Sequence, residues 1–166
     1  TGVQTCALPI FSTLDSIKNF ESRYGKVIRD AMDYVIDGER MGRTRLAEVE
    51  KAEKTIFGIK VEAYLRHEFR WKRGSKLDFY LIEIEFDSKA TIGKTWMIPP
   101  EAIGEICLLT RINEDEMFFQ AGLLRANPDM LTKGSNQDKK KSVSAVGKQH
   151  IKWLIPNGEI PKLSDL

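Results

Sequence analysis

The hydrophobic period of this 166-residue chain changes from helical to strand spacing near residue 77, and that change limits the folds open to it. Before it, apolar residues recur at helical spacing: Val27, Ile28, Ala31 and Val35, then Phe57, Val61, Tyr64, Leu65 and Phe69, with charges on the opposite side. After it they alternate. Ile84 and Phe86 fall on one face of an extended segment, and Glu85, Asp87 and Lys89 on the other. Helical spacing followed by strand spacing predicts an α/β or α+β single domain without repeats or an internal linker. The spacing predicts one or two helices over residues 14–36, interrupted near Gly25 and ending at Asp37-Gly38, then helical stretches over 46–55 and 56–71. Strands are expected over 77–80, 84–89, 106–111 and 117–125, with an antiparallel look to this middle section. Pro99-Pro100 opens a turn or short helix, residues 133–142 form a polar loop, and a last helix is expected over 144–154.

The chain carries 26 basic and 24 acidic residues, a net charge of +2, with 42% hydrophobic and 30% charged residues. That balance belongs to a globular domain and argues against disordered, collagen-like and disulfide-scaffold classes. No apolar run approaches the roughly 20 residues that span a bilayer. The first ten residues, TGVQTCALPI, have no charge and no period, and lack the basic start and long apolar core of a secretory signal. They resemble one reading frame of a common sequencing adapter, so residues 1–10 are expected to lie outside the native domain. Without Cys6, Cys107 stands alone among apolar neighbours, which leaves no disulfide or cysteine metal site and points to a reducing compartment.

Chemistry concentrates where the strands begin. Asp78 lies in one strand and Asp87-Ser88-Lys89 in the next, and alternation puts Asp87 and Lys89 on one face, about 7 Å apart. Phosphodiester hydrolysis needs such a set. Carboxylates hold Mg²⁺, which neutralises the phosphate and activates a water, and a lysine orients water or phosphate. Glu62, sixteen residues before Asp78 on the preceding helix, offers a third carboxylate. Of the sixteen lysines only Lys89 and Lys140 follow an acid by two positions, and only Lys89 ends an apolar strand, where a charge needs a reason. Spacing alone leaves a solvated hairpin face as an equal reading.

From about residue 30 to residue 153 the chain resembles the endonuclease domain of NaeI-type restriction enzymes, within the PD-(D/E)xK nuclease superfamily. The match is carried first by Asp37-Gly38-Glu39-Arg40 with Gly42-Arg43, Glu53-Lys54-Thr55, and Val61-Glu62 with Glu68-Phe69. It continues with Asp78, Asp87-Ser88-Lys89, Trp96-Met97-Ile98-Pro99-Pro100-Glu101 with Ile103-Gly104, and Ala121-Gly122-Leu123. The resemblance implies a restriction-endonuclease-like α/β core, a central mixed β-sheet flanked by helices, over residues 11–155. It implies Glu62, Asp78 and Asp87 as metal-binding acids, Lys89 as the catalytic lysine and Mg²⁺ as cofactor. The implied activity is site-specific cleavage of double-stranded DNA by a homodimer, in the cytoplasm of a bacterium or archaeon. A second DNA-binding domain related to winged-helix readers is implied beyond the nuclease, so residues 156–166 are expected to be a polar tail or the start of a linker. Two features depart from the family pattern. Ile82-Glu83 replace small turn residues, and Glu85 adds a carboxylate on the Asp87 face that can bind a second ion or repel DNA.

Charge is segregated around these acids. Residues 60–76 carry six basic against two acidic side chains, residues 125–152 seven against two, and residues 78–87 four acids and no base. Two basic arms around an acidic pocket suit a metal-dependent nuclease, and they account for a near-neutral total. The expected DNA contacts are Asn136, Lys139, Lys140 and Lys141 of the polar loop, with Arg70 and Lys94. A nucleotidyl-transferring ligase motif built on Asp37-Gly38-Glu39-Arg40 would need a lysine where Val35 stands, so that chemistry is excluded. His67 and His150 lack partners at metal spacing, Trp71, Trp96 and Trp153 read as core or interface, and no phosphate-binding glycine loop is present. A monomeric repair or nicking nuclease of the same superfamily and a non-catalytic DNA-binding module are the alternatives.

Overall fold

The computed structural model describes residues 8–162 and begins with helix α1, Leu8–Asp15, followed by α2, Phe20–Ile36. The chain turns between them at residues 16–19, not near Gly25 as expected. Gly25 stays helical and serves a close approach: a Cβ there would sit 2.8 Å from the Glu159 carbonyl oxygen. Asp37 ends α2 in the left-handed region (φ 47°, ψ 52°) and donates its N–H to the Asp33 carbonyl, in keeping with the Asp-Gly signal. A one-turn helix α3, Gly38–Met41, follows. The two stretches expected over 46–55 and 56–71 are instead a 3₁₀ turn, Leu46–Glu48, and one continuous helix α4, Lys51–Phe69. The reason is tertiary. The Glu114 carboxylate accepts the Leu46 and Ala47 N–H groups at 2.6 and 3.3 Å and pins the turn to a distant hairpin.

Seven strands follow among the described residues: β1 (Phe79–Leu81), β2 (Ile84–Thr91), β3 (Met97–Ile98), β4 (Ile106–Asn113), β5 (Phe118–Arg125), β6 (Lys141–Ser142) and β7 (Lys152–Glu159). Helix α5, Ala145–Gln149, precedes the last of them, capped by the Ser144 hydroxyl, which accepts the Gly147 N–H. The main sheet has the order β1-β2-β4-β5-β7, and β3 and β6 pair as a separate ribbon. The middle is not wholly antiparallel. β2 and β4 run parallel, with Asp87 opposite Cys107, because the connection between them crosses the sheet through β3 and a 3₁₀ turn, Pro100–Ala102. The result is the mixed sheet flanked by helices that the resemblance implies.

Strand β4 is covered on both faces. Ile106, Leu108 and Ile112 join the main core with residues of α2 and α4, while Cys107 and Leu109 join a second cluster with Trp96, Ile98, Leu131 and Val143. This explains its continuous apolar run. The β1–β2 turn is tight, with Ile82 and Glu83 both at positive φ (47° and 63°). Glycine or asparagine usually fills such a turn, and a side chain there costs roughly 1–2 kcal/mol per residue.

The C-terminal reading changes most. α5 stops at Gln149, and the residues expected to finish a helix and enter a polar tail form edge strand β7. Ile155 and Ile160 are both buried, so the folded unit continues past residue 155. Pro156 is tolerated because an edge strand leaves one row of backbone groups without a ladder partner. At the other end, residues 1–7, with Cys6, lie outside the described residues, as do residues 163–166. Residues 8–10 open α1, and Ile10 is fully buried in the main core, so the described domain begins before residue 11. No helix among the described residues is long and apolar enough to cross a membrane.

Candidate active site

Asp78 is delivered by the loop that enters β1, and Asp87 and Lys89 by β2, its neighbour in the sheet. The Asp78 Oδ2 accepts the Ser88 N–H at 2.8 Å, which turns that carboxylate toward Asp87. Asp87 is 5% exposed, and its Oδ2 lies 2.9 Å from the Lys89 Nζ. Burial first, and then the Asp78 carboxyl beside it, push Asp87 up to about 6, against the pull of Lys89. Burial also works against the charge on Lys89, but Asp87 and Asp78 outweigh it and raise its pKa. Beneath them Cys107 is pushed up to about 12 by burial and by Asp87, so its thiol is inert. Three of the four residues named from the sequence meet.

Glu62 does not join them. It sits on α4, and its Oε2 takes an ion pair from the Arg66 Nη1 at 2.6 Å, one helical turn away. Among the described residues no three Asp, Glu, His or Cys side chains converge as a metal-ligating group. Two carboxylates are nonetheless enough for Mg²⁺, which fills its octahedron with water and substrate oxygens. The residues present fit such an ion. Asp87 is buried beside a second acid with one lysine to balance both, and a cation would relieve that imbalance.

Glu62 and Lys89 face each other across a cleft of about 410 Å³ between α4 and the second half of β2. Lys54, Thr55, Ser88 and Lys140 complete its polar wall. Sequence reasoning named Lys140 but not Lys54 or Thr55 as site residues, although both lie in a segment that carried the resemblance. A larger depression of about 510 Å³ lies over α2, α3 and α4, but its charged lining is already paired, Arg43 with Glu53 at 2.6 Å and Arg40 with Asp37 at 3.7 Å. It offers no free chemistry.

The expected DNA contacts separate into groups. Lys139 and Lys140 occupy the loop beside the cleft, and Lys141 lies on β6 opposite Ile98. The Asn136 Oδ1 accepts the Lys140 N–H at 2.9 Å, so this side chain shapes the loop and keeps its amide NH₂ to offer a ligand. Arg70 caps the C-terminal end of α4 in the left-handed region, and Lys94 borders a separate depression with Arg45 and Arg111. Neither lines the cleft. Trp71 and Trp96 are buried and Trp153 packs against the second core cluster, in keeping with their core reading.

Glu85 is engaged by the segment before Asp78. Its Oε1 accepts the Lys76 and Leu77 N–H groups at 2.9 and 3.1 Å, and its Oε2 accepts the Ser75 hydroxyl at 3.2 Å. The two backbone N–H groups hold its carboxyl below the usual glutamate range. It binds a loop.

Comparison with known proteins places the chain in a family. The family described as Restriction endonuclease NaeI matches residues 10–164. The Type II restriction enzyme NaeI of Lentzea aerocolonigenes is 33% identical over 147 residues, covering 88% of this chain and 46% of that protein. The chain therefore spans about half the length of the curated relative it matches.

Proposed function

The chain belongs to the NaeI restriction endonuclease family, and we propose that it is a Mg²⁺-dependent, site-specific endonuclease of double-stranded DNA whose cleavage centre is Asp78, Asp87 and Lys89. The observation that carries this is the buried Asp87, flanked by Asp78 and Lys89 at the side of a lysine-lined cleft. Asp78 and Asp87 would hold the ion, with Glu62 available only on release from Arg66. Bound there, Mg²⁺ supplies charge neutralisation at the scissile phosphate and acidifies a water.

The protein's own groups do the rest. Lys89, kept protonated by its acidic neighbours, orients a water or a phosphate oxygen by hydrogen bonding and opposes the charge that develops on phosphorus. Ser88 fixes Asp78 through its backbone N–H, so the two carboxylates keep their spacing. Lys54 and Lys140 contact phosphates along the cleft, and Lys139, Lys141, Arg70 and Lys94 extend that contact along the duplex. The Asn136 amide is left for base readout. Two copies, each cutting one strand, would sever the duplex, in the cytoplasm of a bacterium or archaeon.

Plasmid cleavage with Mg²⁺ against the same reaction in EDTA tests the activity. Asp87→Ala and Lys89→Ala are each expected to lower turnover by a factor on the order of 10³ while DNA affinity falls only a few-fold. An Asp87→Ala protein that cuts as fast as the parent would overturn the assignment. The Glu62–Arg66 pair favours a second reading, a DNA-binding module without chemistry. Salt-sensitive binding with no metal-dependent cleavage would select it.

A further inference from the structure

We propose that Glu85 is the positioning residue that sets Asp78, and not a ligand for a second ion; this rests on the nuclease reading of the same site. The carboxylate stands on β2, opposite Tyr80 of β1, and reaches back over the residues that lead into Asp78. It holds three consecutive positions of that segment: the Ser75 hydroxyl and the backbone N–H groups of Lys76 and Leu77. Leu77 itself is buried, so the segment is anchored by its side chain as well. The next residue is Asp78.

Gly74 shows how close the clamp is. A Cβ at this position would collide with the Glu85 Oε1 and sit 2.5 Å from the Leu77 carbonyl oxygen. Asp78 is thus fixed from two sides by one strand, its carboxylate by the Ser88 N–H and its backbone by Glu85. Three of the roughly four lone-pair sites of the Glu85 carboxylate are taken by the protein, so an incoming cation would compete with donors already in place. A one-ångström displacement of a catalytic group costs as much as about 10² in rate, which gives the clamp its leverage.

Three variants of the full chain test this: Glu85→Gln, Glu85→Ala and Glu85→Asp. Amide exchange at Lys76 and Leu77, Mn²⁺ affinity by calorimetry and plasmid turnover are read for each. Glutamine keeps the Oε1 acceptor and is expected to stay within about 3-fold of the parent in all three. Alanine removes the clamp: the two amides exchange at least about 10-fold faster, Mn²⁺ binds about 10-fold more weakly and turnover falls by about 10². Aspartate keeps the charge but shortens the reach, and is expected to follow alanine; it serves if alanine does not fold. A glutamine variant as impaired as alanine would assign Glu85 to the ion instead. Unchanged amide exchange in both alanine and aspartate variants would also overturn the proposal. A parent that binds Mn²⁺ but cuts no DNA overturns only the nuclease reading, because exchange and metal affinity then decide the role of Glu85.

Discussion

Glu85 and Asp87 stand two residues apart on β2, on the same face, yet they live under opposite conditions. Glu85 is half exposed and accepts three hydrogen bonds, two of them from backbone N–H groups that strengthen it as an acid. Asp87 is buried, leans on one lysine and faces another acid, and burial and Asp78 weaken it as an acid. A carboxylate whose partners are supplied by the fold belongs to the scaffold. One left short of partners in a low-dielectric setting is held ready for something that binds later. The contrast separates the two more cleanly than strand position does.

The contrast depends first on Phe86, which lies between them and points into the core, fully buried against Trp71 and Phe79. Phe86→Ala is expected to cost about 3–5 kcal/mol in urea unfolding. A loss below about 1 kcal/mol would mean that β2 is held by something other than its inward face. Next comes the Glu85 side alone. Gly74→Ala forces the Glu85 carboxylate away and is expected to cost about 2 kcal/mol, with faster exchange at Lys76 and Leu77. Unchanged exchange would show that the clamp closes without the space at Gly74.

The smallest effect sharpens the Asp87 side. Its folded value of about 6 lies above the ordinary 3.8, so folding favours the protonated form. The stability contributed by Asp87 is therefore present below about pH 4 and is lost as pH rises through 6. Ion binding requires the charged form, so protons compete with metal. Mn²⁺ affinity of the metal-free protein is expected to be flat above pH 7 and to fall about tenfold, some 1.4 kcal/mol, per unit below 6. Calorimetric titrations from pH 8 to 5 measure it. An affinity that stays flat throughout would remove Asp87 from the ligand set.

Parts of this site were legible before any coordinates. Asp87 and Lys89 lie on β2, and Asp78 immediately precedes β1 across a two-residue turn, so alternation and the register of one hairpin bring them near one another. Glu62 was harder, because it lines the cleft opposite Lys89 while the i,i+4 pair with Arg66 one turn later engages its Oε2. Lys54 and Thr55 could be placed only by knowing how α4 lies across β2. The β7 residues depart from the expected helix and tail because a short apolar run has no period long enough to choose between states, and pairing with β5 chooses instead.

By itself, the amino-acid order determined what short range can determine: helices before strands, an Asp-Gly stop at residue 37, an acid–acid–lysine set on one strand pair, and membership of a nuclease family. The tertiary structure alone decided the parallel pairing of β2 with β4, the burial that weakens Asp87 as an acid, and the service of Glu85 to the loop before Asp78. The physical reason is range. Backbone period and i,i+4 contacts are written in neighbouring residues, whereas desolvation, strand order and a carboxylate's choice of donors depend on what the rest of the chain brings alongside.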